Sequence, residues 1–173
     1  RKRDPISCAI FASANISRGE TPGLNGKPMT VCFFFATTTG RVTYADDLGH
    51  EADVQHLSSA IDTMAFYEER NRLVVITRNV IMTVLQLADD GRVSVLAKVK
   101  LSVGADTSMN GIKSTTWAGP GLLAASTSEA IVRFWDLCND ANYNLALSQI
   151  VPLLRNPLDP AAIRADKVVA VAF

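Results

Sequence analysis

Leu73-Val74-Val75-Ile76 is a run of four apolar residues held between Arg72 and the polar Thr77-Arg78-Asn79. A run this short does not sustain a helix, and in a strand successive side chains leave opposite faces. A strand built from it is apolar on both sides, so neither face tolerates water. Cys32-Phe33-Phe34-Phe35-Ala36 makes the same demand. Sheets carrying such strands must be covered twice. A lone meander with one wet face would alternate in every strand, so the contrast favours stacked sheets over a simple meander.

The two runs belong to a recurring pattern. An apolar run Val31–Ala36 leads to a turn ending at Gly40 and a second run to Tyr44. Leu73–Ile76, the turn Arg78-Asn79 and Val80–Leu87 repeat it, as do Leu122–Ser126 and Ala130–Leu137. Each reads as a β-hairpin whose turn residues tolerate unusual backbone angles. A strand Ile61–Tyr67 precedes the second hairpin, and one ending at Trp117, followed by Gly119-Pro120-Gly121, precedes the third. After the second, Val93, Val95, Ala97, Val99 and Leu101 fall on one face and Lys98 and Lys100 on the other. Lysines on a strand guard a sheet edge, so this strand is expected outermost.

The unit is thus four antiparallel strands recurring about every 40 to 50 residues, the period of propeller blades. The expected fold is all-β, a segment of β-propeller with three four-stranded blades at about 6–57, 58–103 and 110–150. Pro152, Pro157 and Pro160 make 151–166 an irregular connection. "DKVVAVAF" then starts another blade near residue 167. The absence of an initiator Met reads as an internal piece of a longer chain. On this reading Trp135-Asp136 closes the third strand of the unit, and its degenerate counterparts are Tyr44-Ala45 and Gln86-Leu87.

Lys plus Arg and Asp plus Glu number 17 each, so the net charge is zero and no nucleic-acid partner is expected. The basic start Arg1-Lys2-Arg3 is too short to change that. No apolar run reaches the roughly 20 residues of a membrane-spanning helix, and Asp4-Pro5 spoils a signal peptide. No membrane insertion is expected. Cys8, Cys32 and Cys138 lie far apart and form neither a metal spacing nor a disulfide framework. Cys8 and Cys32 read as reduced core thiols of a reducing compartment. Asn15-Ile16-Ser17 is a glycosylation sequon without meaning there.

No motif carries chemistry. Asp46, Asp47, His50, Glu51, Asp53 and His56 supply carboxylate and imidazole, but at no ligand spacing, and the stretch reads as an exposed loop. There is no nucleophile elbow, and the chain's 2 histidines both lie in this stretch. "TTTGR" lacks the glycines and the Lys-Ser of a phosphate loop. Glu68-Glu69 reads as a charged turn, and Trp117, Phe134 and Trp135 as packing. No catalytic residue, cofactor or metal is assigned. A non-catalytic interaction scaffold is the leading expectation. The rival is a fragment of a propeller-containing hydrolase whose catalytic groups lie outside the segment.

"RFWDL", residues 133–137, resembles the WD-repeat (WD40) family. The resemblance implies a polar network of His, turn Asp, Ser or Thr, and Trp. Ser126 and Trp135 take the last two roles, and with Asp136 they form the structural mark of the repeat. Glu129 stands in for the Asp, and no His precedes Ile112 closely. His56 lies near that place in the preceding repeat, which lacks the Asp and the Trp. More narrowly, "SSAIDTMAFYEERNRLVVITRN", "KVKLS", "LLAASTSEAIVRFWDL" and "NYNLALS" are similar to one propeller family. It comprises the first propellers of the 140-kilodalton core subunits of the intraflagellar transport A complex, and the likeness covers most of residues 28–150. It implies a ciliary scaffold assembling with the other subunits of that complex, supporting retrograde transport and import of membrane proteins into the cilium. The transport B complex, motors and membrane-cargo adaptors are further implied partners. The implied location is the cilium or flagellum and basal body, on the cytoplasmic, cytoskeleton-associated side.

Overall fold

The computed structural model describes residues 4–12, 32–46, 49–88, 92–127, 129 and 131–146. These form three four-stranded antiparallel sheets, each a meander in chain order. The first holds β1 (Ile6–Ala12), β2 (Cys32–Thr37), β3 (Arg41–Asp46) and β4 (Glu51–His56). The second holds β5 (Ile61–Tyr67), β6 (Arg72–Thr77), β7 (Ile81–Leu87) and β8 (Val93–Lys100). The third holds β9 (Ser114–Gly119), β10 (Leu122–Ser126), β11 (Ile131–Asp136) and β12 (Ala141–Ala146). A short helix α1, Ala105–Asn110, precedes β9, and nothing in the sequence pattern signalled it. The chain divides into two compact units, Arg1–Leu101 with the first two sheets and Ser102–Phe173 with the third. The sequon at Asn15, the connection 151–166 and the strand expected near 167 lie outside the described residues.

In the first unit the two sheets pack face to face. Cys32, Phe34, Ala36 and Val42 of the first meet Met64, Leu73, Val75, Leu85 and Leu87 of the second in one apolar cluster. The Phe34 ring lies 5.6 Å from Tyr44 and 5.5 Å from Phe66, tilted against both. The opposite faces differ. In the second sheet Val74 and Ile76 look away from this cluster yet are as buried as Leu73 and Val75, all four at 0% exposure. The other face of the first sheet carries Phe33 and Phe35, half-buried, and Phe11, 80% exposed.

Two expectations are corrected here. The acidic stretch read as a loop is in part strand: Glu51–His56 pairs with β3 from Ala45↔Glu51 to Arg41↔His56. An outer strand with polar residues on both faces carries no apolar alternation, so periodicity cannot detect it. β8 is outermost in its sheet, as expected, but its apolar residues do not share one face. Ala97 pairs with Val84 and Val95 with Leu85, which leaves Leu96 as an extra residue in a bulge. The bulge reverses the side-chain alternation, so Val93 and Val95 share a face with Lys98 and Lys100, opposite Ala97 and Val99. Val95, Leu96 and Val99 are all exposed.

Backbone ties repeated from sheet to sheet fix the turns. Leu57 N–H donates to the Gly40 carbonyl at 2.8 Å, and Leu101 N–H to that of Val80 at 2.9 Å. Each bond straps the end of an outer strand onto the central hairpin turn. At the opposite end, Leu87 N–H donates to Asn71 and Leu137 N–H to Gly121, each at 2.9 Å. All four acceptor residues have positive φ: Gly40 92°, Val80 54°, Asn71 48° and Gly121 70°. Glycine and asparagine adopt this region readily, and a β-branched valine does not.

Gly40 shows the tightest constraint. A Cβ there would lie 2.3 Å from the Leu57 carbonyl oxygen and 2.7 Å from that of Ser59. Both are backbone atoms that cannot rotate away. Gly40→Ala is expected to destabilise the complete propeller by about 2 kcal/mol or more, through left-handed strain and loss of the strap. Thermal unfolding checks it, and an unchanged midpoint would contradict this account of the turn.

Candidate interaction surface

Register places the repeat marks. Val42, Met82 and Val132 are equivalent, each pairing with the last ladder residue of the preceding strand, Ala36, Ile76 or Ser126. Counting from there, the counterparts of Trp135-Asp136 are Ala45-Asp46 and Leu85-Gln86. The sequence reading was therefore one residue out in both earlier sheets, in opposite directions. The correction has a chemical consequence, because the first sheet keeps the Asp. Asp136 Oδ1 accepts the Cys138 and Asn139 amides at 2.9 and 3.0 Å, and Oδ2 accepts Asn139 Nδ2 at 2.7 Å. Asp46 accepts the His50 amide at 2.9 Å and pairs with His50 Nδ1 at 2.8 Å. At the third position Gln86 Nε2 donates to the Arg70 carbonyl at 2.9 Å. One polar side chain thus secures the neighbouring turn in each sheet.

A second repeated device escaped sequence reading. Thr37 and Thr77 end β2 and β6 and Thr127 directly follows β10; all three are buried, and each bonds the residue two positions on. Thr37 meets Thr39 at 2.9 Å, Thr77 donates to Asn79 Oδ1 at 2.5 Å, and Thr127 to Glu129 Oε2 at 3.4 Å. The recurring signal was a Thr-x-polar triplet at the hairpin turn.

The expected four-member network takes another form. Ser126 Oγ meets Ser114 Oγ at 2.8 Å on the adjacent strand. Glu129 serves Arg133, whose Nε and Nη2 donate to Oε2 at 3.0 and 2.6 Å. Arg133 Nη1 also reaches the Ser102 carbonyl at 3.3 Å. The carboxylate crowds Gly104, where a Cβ would lie 1.7 Å from Oε1. Trp135 is 8% exposed. Phe134 packs beside Ala124 and Val132, and Trp117 is half-buried.

The histidine-bearing region does not converge. His50 is engaged with Asp46, Asp53 pairs with Arg41, and His56 Nε2 lies 3.2 Å from the Thr39 carbonyl oxygen. A recess of about 380 Å³ lies over Asp4, Thr39, Arg41, Asp53 and His56. Among the described residues, no three His, Cys, Asp or Glu side chains come together as a metal site. None of the described helices is long and apolar enough to cross a membrane. All three cysteines are free thiols. Cys32 is buried and accepts the Tyr44 hydroxyl at 2.9 Å, Cys8 is half-buried, and Cys138 is exposed. Burial pushes the Cys8 thiol up, with the Asp62 charge adding and a hydrogen bond with Ser7 opposing. A smaller cleft of about 200 Å³ opens between the first and second sheets, lined by Gln55, His56, Ser58, Thr77, Thr83 and Lys98 among others.

Consecutive four-stranded meanders with repeated turn ties define the WD40 type of β-propeller segment. Two solved structures are similar, described as the crystal structure of RRP9 WD40 repeats and the structure of U3-55K. Each matches with a TM-score of 0.56 at 12% identity, over 84% of this chain. Likeness at that identity speaks to fold alone. This chain spans 40% of the length of each of those chains. The profile of the IFT140 first β-propeller matches residues 13–152, and the chain belongs to that family.

Two outcomes test the mark. Trp135→Ala is expected to cost about 3–5 kcal/mol in the complete propeller, the range for a buried large aromatic. Near-unchanged melting would contradict it. The hydrogen bonds from Asn139 and Cys138 hold the Asp136 carboxyl below its ordinary value, against a small opposing effect of burial. A depressed folded value means that the turn's extra stability is complete above the ordinary value of about 4. It is lost as pH falls through the lowered one. Protection of the Cys138 and Asn139 amides should therefore fall on acidification in the wild type and be low and flat in Asp136→Ala.

Proposed function

We propose that this chain is a non-catalytic protein-interaction scaffold, part of the propeller of an intraflagellar transport A core subunit. The three sheets act as consecutive blades, with 151–166 as a connection and a further blade starting near residue 167. Trp135, Asp136 and Ser126 mark the repeat. The observation that carries this reading is the family match over residues 13–152. The form of the sheets supports it. Their inner strands are committed to packing, while the outer strands and turns present tied, accessible surfaces of the kind partners use.

On this reading the partners are the other subunits of the transport A complex, with the transport B complex, motors and membrane-cargo adaptors as further contacts. The place of action is the cilium and basal body, in retrograde transport and ciliary import of membrane proteins. Affinity purification of the full-length protein from ciliated cells tests it. Co-recovery of the remaining transport A subunits is expected, and their absence would overturn the assignment.

A further inference from the structure

The cleft between the first and second sheets contains a position that breaks the pattern of its equivalents. Thr43, Thr83 and Arg133 occupy the same place in β3, β7 and β11. In the first sheet the Thr43 hydroxyl lies 3.5 Å from Asp53, directly across on β4. In the third, Arg133 is bonded to Glu129 and reaches Asn144, directly across on β12, at 3.4 Å. In the second, the residue across from Thr83 is Lys98. Thr83 is 1% exposed, and its hydroxyl has no hydrogen-bond partner among the described residues.

A buried hydroxyl left unpaired costs stability that an isosteric valine would not cost. Such a group in a packed sheet points to a use other than folding. Thr83 lines the cleft, and so does Lys98, an exposed residue. His56 stands on the opposing wall, with Ser58 and Gln55 adding a hydroxyl and an amide. Among the described residues, no carboxylate lines the cleft. A lysine ammonium with hydroxyl and amide donors beside it suits an acceptor-rich anion and repels a cation. The volume of about 200 Å³ holds roughly six or seven water-sized groups, at about 30 Å³ each in the liquid. That is room for one carboxylate or phosphoryl group with its stem.

We propose that this cleft binds an anionic side chain of a partner polypeptide, a carboxylate or a phosphorylated hydroxyl, with Lys98 as counter-charge and the Thr83 hydroxyl as donor. A nucleic-acid backbone needs several cations in a row, and this cleft offers one lysine. The inference rests on the scaffold reading only in making the ligand a polypeptide. The anion chemistry comes from the cleft itself.

Fluorescence anisotropy on the purified full-length protein tests it with three labelled peptides of one sequence. The central residue is glutamate, phosphoserine or glutamine. The two anionic peptides are expected to bind at least tenfold more tightly than the glutamine peptide, and the tighter of them identifies the source of the anion. Lys98→Gln should weaken anionic binding at least tenfold. Thr83→Val should weaken it severalfold while leaving the melting temperature unchanged or raised. The proposal is overturned by equal binding of all three peptides, by no saturation below about 10 mM, or by preferential competition from a single-stranded oligonucleotide. It is equally overturned if Thr83→Val lowers the melting temperature and leaves binding intact. Failure here leaves co-recovery of transport subunits unaffected, so the two readings stand or fall separately.

Discussion

Two-sided burial of the inner strand β6 is the constraint on which the structure depends. Leu73, Val74, Val75 and Ile76 are successive residues without solvent contact, although their side chains leave the sheet in opposite directions. At roughly 25 cal/mol per Å² of apolar surface removed from water, each fully buried aliphatic side chain contributes about 1.5–3 kcal/mol. The strand thus gains on both faces. That gain ties the second sheet to packing on both of its faces. It also concentrates sequence constraint in the middle of each sheet and relaxes it at the rim.

The relaxed positions are where the sheets differ. β4 is polar and acidic, β8 carries lysines and a bulge, and β12 exposes Tyr143 and Leu145. For β4 and β8 the backbone straps at Leu57 and Leu101 supply a geometric restraint. One bond joins an outer strand's end to the hairpin turn, and another holds the opposite end of the sheet. Side-chain identity at the rim can vary because the restraint is a main-chain bond. The cost is a positive φ at every acceptor, taken by glycine or asparagine at three sites and by Val80 at the fourth.

Much of this was legible in the sequence, for physical reasons that also explain the failures. Strand β5 was read at its observed bounds, Ile61–Tyr67, because apolar content and turn residues mark both ends. β4 was missed as a strand because polar residues on both faces give no period. The bulge at Leu96 was invisible because strict alternation through Val93, Val95, Ala97 and Val99 is what an unbulged strand would show. The repeat counterparts fall one residue from their places because the end of an apolar run does not fix register. The cleft at Thr83 had no signal at all: a threonine in an apolar strand is unremarkable until its cross-strand neighbour is known.

Native-state hydrogen exchange on the full-length protein, resolved to single strands by mass spectrometry, tests the central claim most directly. If two-sided burial holds the sheets, the amides of Leu73–Ile76 exchange only through global unfolding, while those of the exposed strand β8 exchange through smaller local openings. Exchange of Leu73–Ile76 as fast as that of β8 would contradict the account.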